Sequence, residues 1–196
     1  MKDEEARLST GLSFVGLFLG IDAFLIGIFL ANYSNFGVRF RVPILFLVTS
    51  LVGFTLAARF YRDGSGSTEY AKETVGLTAR KMYELGNIVS EFVGVNMLIF
   101  AIPIMISLLI NDTFVVYTTA LLVSITFGLY LMSEYTIVAR RYLVPIRVPV
   151  AIITSVCLFI SAISAQTNLF YLCLVPFSVS LLLCLHSIVF LRYKEL

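Results

Sequence analysis

LFLGIDAFLIGIF, residues 17–29, is an apolar run interrupted by a single acid, Asp22. It sits inside a longer apolar stretch, about residues 12 to 32, and a helix of about 20 such residues crosses about 30 Å of hydrocarbon. The preceding MKDEEARLSTG is mixed and acid-rich. The run behind it is too long for the apolar core of a secretory signal, so it reads as a retained first span.

Composition carries that reading to the whole chain. Of 196 residues, 59% are hydrophobic and 13% charged, and the mean hydropathy is +0.96. A soluble domain averages about 45 to 50% apolar and about 25% charged residues, so these side chains cannot wet an outer surface. Five further apolar runs follow, at about 43–60, 87–110, 114–134, 148–166 and 168–190. The second is the shortest, because Arg59 and Arg62 close it early. The expected fold is all-α: a polytopic integral membrane protein with six transmembrane helices in one membrane domain, residues 1–196.

Lys and Arg fix the expected orientation. With both termini cytoplasmic, twelve of the fourteen basic residues fall inside, and only Arg39 and Arg41 outside. The expected location is the cytoplasmic membrane of a prokaryote. With no Trp in the chain, Tyr33, Tyr61, Tyr117, Tyr135, Tyr142 and Tyr193 are the candidate interfacial anchors. The longest polar segment carries Ala71, Val75, Ala79, Met82 and Leu85 at helical spacing. It reads as a cytoplasmic amphipathic helix over 68–86, lying on the inner leaflet or running into the third span.

Small residues recur every fourth or seventh position: Gly16, Gly20 and Gly27 in the first span, Gly86, Ser90 and Gly94 in the third. Such stripes let helix backbones approach closely. Either one serves packing within the bundle or a contact with a second copy or a larger membrane-protein partner, and segment 68–86 is a further candidate for partner docking. Membrane lipid is the common partner, and a net charge of +2 gives no reason to expect nucleic acid. Pro103 and Pro176 fall inside their runs and should kink or locally open them. RVPILFLVTS (41–50) and RVPVAIITS (147–155) match with a one-residue gap. In two inverted three-helix halves they would be corresponding helices, yet short matches are common in so apolar a chain.

At about 1.5 Å rise per residue Asp22 lies near the midplane, where a lipid-facing Asp costs roughly 2.5 to 3.5 kcal/mol. It should therefore face protein or water. No Lys or Arg lies at its depth, and Asn96 is the expected neighbour. Thr49, Ser50, Ser124, Thr126, Thr154, Ser155, Ser178 and Ser180 are also near mid-depth. If they converge, Asp22, Asn96, Ser124, Thr126, Thr154 and Ser178 form a site for a proton, a cation or the polar end of a small solute. The alternative is structural glue, since hydroxyls in membrane helices commonly bond to the preceding turn. Glu91, Glu134 and the lone His186 are shallower and are candidate proton relays.

Catalytic parts are missing. The sequence holds no G-x-S-x-G, H-E-x-x-H or Walker loop, and one His cannot supply a bis-His haem or a multi-His metal centre. No enzyme activity, cofactor or metal is expected. Two functions remain open: handling of a proton, cation or small solute as a channel, transporter or solute-binding subunit, or service as a non-catalytic accessory or scaffold subunit of a larger membrane complex.

Overall fold

The computed structural model describes residues 2–31, 37–66, 74–133 and 144–193. Every element among them is helical: α1 (Lys2–Ala31), α2 (Arg41–Gly66), α3 (Thr74–Val89), α4 (Asn96–Leu109), α5 (Thr113–Ser133), α6 (Val144–Ile163) and α7 (Leu174–Tyr193). A π-helical segment, Ser90–Val95, joins α3 to α4 in one rod. Short 3-10 turns, Val38–Phe40 and Asn168–Cys173, precede α2 and α7.

Five helical stretches are long and apolar enough to cross a membrane: Ala6–Ala31, Val38–Gly64, Arg80–Leu109, Thr113–Tyr130 and Asn168–Val189. Val148–Ile163 is a shorter apolar helix. The protein is thus an all-helical chain with five to six potential spans, the multi-pass architecture that the apolar runs anticipate. The run bounded by Arg59 and Arg62 is longer than its sequence implies, because α2 continues through both cations to Gly66. Arg59 and Arg62 flank Asp63 there at 3.7 and 3.8 Å. These pairs are exposed and stabilise little.

The α3–α4 rod is central. Its span is 56% buried, against 17% for the first and fourth spans. α2 packs along α1 on one side and along the rod on the other, α5 pairs with α6, and α7 lies against the π segment, α6 and α3. Within 68–86, Thr74 onward runs straight into the third span as α3, while residues 67–73 lie outside the described set. The rod's small stripe is used inside the bundle. A Cβ on Gly86 would collide with the Tyr61 ring, and one on Gly94 would sit 2.6 Å from Phe54.

The first-span stripe behaves otherwise. A Cβ on Gly16, Gly20 or Gly27 would meet nothing within 4 Å, so this face packs against no other helix among the described residues. Tyr61 also departs from expectation: it is 2% exposed and donates its hydroxyl to Asn87 Oδ1 at 2.7 Å, which makes it a core residue. Tyr117, 47% exposed, keeps a surface position near the start of α5. Pro176 is the third residue of α7, where a missing amide costs little. The irregularity expected of it is met just upstream, by the 3-10 turn.

At the end of the bundle where α2 begins, Arg39 clamps the α6–α7 connection. Its guanidinium donates to the carbonyls of Ala165 and Gln166, the latter at 2.9 Å, and to Gln166 Oε1 at 3.3 Å. Asp112 accepts from Val115 N at 3.1 Å and so caps α5, satisfying one of its orphan amides.

Candidate functional site

The buried line of α1 is Leu8, Val15, Asp22 and Phe29, each at most 2% exposed. These residues recur every seventh position, the repeat that keeps one seam of a helix against a neighbour. Asp22 occupies the core-facing seam of a helix that is otherwise mostly exposed, with Leu17, Phe24 and Leu30 above 60%. The glycine stripe lies on the opposite face. Asp22 therefore faces protein, at 0% exposure.

Ser50 of α2 lies beside the Asp22 carboxyl, but its hydroxyl proton goes to Gly94 O, 2.8 Å away. Both Asp22 oxygens are left without a hydrogen-bond partner. The approach that permits the Ser50–Gly94 bond depends on Gly53, whose Cβ position is 2.7 Å from Gly94 N and 2.8 Å from Val93 C. Only glycine fits there.

The π segment is held from both sides. Its carbonyls do not follow the regular i→i+4 pattern, and neighbouring hydroxyls fill the gap: Ser50 bonds Gly94 O, and Ser180 of α7 bonds Phe92 O at 2.6 Å. Ser180 Oγ in turn accepts from Asn96 Nδ2 at 2.8 Å. Non-regular backbone at membrane depth requires such partners.

Asn96 is 1% exposed and its Oδ1 has no partner. Its amide bond goes to Ser180, and no hydrogen bond joins it to Asp22. Ser124 is buried with an unpartnered hydroxyl. It lines an apolar groove of about 370 Å³ between α5 and α6. Thr154 is buried and bonds back to Val150 O at 2.6 Å and Ala151 O at 3.2 Å within α6, the glue arrangement. Thr126, Ser178 and His186 are exposed on their helices and do not join Asp22. Glu134 lies outside the described residues.

Glu91 opens a different site. With Arg7, Asn87, Ser90, Tyr61, Tyr83 and Tyr130 it lines a cavity of about 550 Å³ where α1 begins and α2 ends. Tyr61 OH lies 3.4 Å from Ser90 Oγ, which donates to Asn87 O at 3.1 Å. The floor of this cavity and the Ser50 contact belong to the same six-residue π segment, the kind of helix irregularity that recurs at functional sites. Apart from Glu91, sequence reasoning singled out none of these groups for this site. It treated Tyr61 as an anchor and Ser90 as a packing residue.

The fold and the buried acid define an all-helical protein with five to six helices apolar enough to cross a membrane and a carboxyl enclosed among them. No known family, no curated protein and no solved structure matches the chain.

Proposed function

We propose that the protein binds and passes a proton at Asp22. One observation carries the reading: a wholly buried carboxyl whose two oxygens have no donor, beside a serine whose only proton is committed elsewhere. Ser50 Oγ, its proton directed to Gly94 O, offers an acceptor to a protonated Asp22. A protonated Asp22 brings a donor of its own, whereas an ionised one has no hydrogen-bond donor in place among the described residues. An intramembrane acid with no structural partner is a functional group by default.

The geometry favours the proton over larger species. Hard metal cations take about six or more oxygen ligands, and among the described residues no group of three or more His, Cys, Asp or Glu could hold a metal. The distribution of Lys and Arg supports placing both termini inside. The test is proton flux into liposomes containing purified protein. Asp22→Asn, which keeps shape but cannot exchange a carboxyl proton, should abolish flux. Equal flux in the wild type and Asp22→Asn removes the proposal.

The accessory-subunit reading keeps one observation of its own. Gly16, Gly20 and Gly27 offer a small-residue face with open space above it, suited to a helix of a second copy or of a partner. That contact is compatible with proton handling.

A further inference from the structure

We propose that the cavity where α1 begins and α2 ends is a hydrated entrance to Asp22, and that the stacked rings of Phe18 and Phe54 are the gate between the two. The proposal rests on the reading of Asp22 as a proton site and adds the side from which the proton arrives and what holds it back.

α1 and α2 run antiparallel in one register that leads from the cavity to the acid. At the cavity, a Cβ on Gly11 would sit 3.0 Å from the Tyr61 ring. Two turns further along α1, Phe18 stacks on Phe54, with ring centroids 5.5 Å apart and planes at 24°. One turn beyond that, Asp22 lies beside Ser50. The cavity wall touches this gate on two sides. Phe14, in the wall, packs on Phe18 with centroids 4.6 Å apart. Val95, also in the wall, follows Gly94, whose Cβ position is 2.6 Å from the Phe54 ring. From the two rings to the Asp22 and Ser50 level is then a single helical turn, about 6 Å of rise.

Polarity changes sharply along the path. The cavity, about 550 Å³, is lined by Arg7, Thr10, Tyr61, Asn87 and Ser90 among others. It is large beside the roughly 30 Å³ that one water takes in the liquid, and it offers the several polar partners that held water requires. The gate offers only carbon, and an apolar constriction of this kind stops water by dewetting. Phe54 is 0% exposed and wedged against Gly94. Phe18 is only partly buried, so it is the ring with room to swing aside.

Cysteine reporters in the full-length protein in nanodiscs test the path through their reaction with a water-soluble methanethiosulfonate. Labelling is read by mass spectrometry, site by site, apart from the native Cys157, Cys173 and Cys184. Ser90→Cys, in the cavity wall, should react, and Asp22→Cys should be protected. Adding Phe18→Ala should speed labelling of Asp22→Cys by roughly tenfold, the upper range of what a stacked aromatic pair contributes. Phe18→Leu keeps bulk without the stack; it should act more weakly in the same direction, and it keeps the test decisive if Phe18→Ala misfolds. Ser187→Cys, at a buried position of α7, controls for general loosening. Four results overturn the proposal: an unreactive Ser90→Cys, an Asp22→Cys that reacts as fast as Ser90→Cys with Phe18 in place, a rate at Asp22→Cys indifferent to both Phe18 variants, or equal acceleration at Ser187→Cys. Labelling reads water access and no proton movement, so failure here is distinct from failure of the Asp22 flux test.

Discussion

Ser50 and Gly94 are joined by a 2.8 Å hydrogen bond from hydroxyl to carbonyl, next to the wholly buried Asp22. It occupies the serine's proton and ties α2 to the π segment beside the buried carboxyl.

A buried polar group without partners costs about 1 to 3 kcal/mol, and replacing it with an apolar group of similar size is neutral or stabilising. Asp22→Leu should keep or raise the melting temperature in detergent while losing proton flux. A large loss of stability would make the acid structural.

Gly53→Ala places a methyl against the backbone of Val93 and Gly94. The overpacking should cost about 1 to 3 kcal/mol. Gly20→Ala, with nothing within 4 Å, should leave the melting temperature of the monomer unchanged. Thermal unfolding of the two variants side by side checks both.

Ser180→Ala removes a donor to Phe92 O and an acceptor for Asn96 Nδ2 at once. A loss of about 1 kcal/mol is expected, in the range measured for interhelical hydrogen bonds in membranes. A double-mutant cycle with Asn96→Ala should show positive coupling, because the two side chains share one chain of bonds.

Arg39→Gln should free the α6–α7 connection, since the Ala165 and Gln166 carbonyls lose their donor. Faster amide exchange confined to residues 164–168 is the expected signature. Unchanged exchange there would mean that the clamp does not hold the connection.

The spans were legible because burial in lipid demands long apolar runs, and Asp22 stood out because an acid is costly there. The seams were not legible. In α1 and α7 apolar residues dominate the exposed side as much as the core-facing one, so no contrast marks which face is buried. Leu8, Val15, Asp22 and Phe29 form one seven-residue series, and Cys173, Ser180 and Ser187 form another; read in that register, Ser180 is the buried serine and Ser178 is not. The neighbour expected for Asp22 was Asn96, but the π segment sets Asn96 toward α7, and nothing in SEFVGV announces a wider turn. Gly53 was overlooked because it belongs to no repeating stripe, although it makes the closest approach to backbone.

The central claim is that Asp22 carries a proton exchangeable with solvent. Infrared difference spectroscopy of the protein in lipid, transferred from H2O to D2O, tests it directly. A carboxylic-acid carbonyl band that shifts on transfer and is absent from Asp22→Asn is the predicted result. A band that does not shift, or no carboxylic-acid band assignable to Asp22 across the accessible pH range, would contradict it.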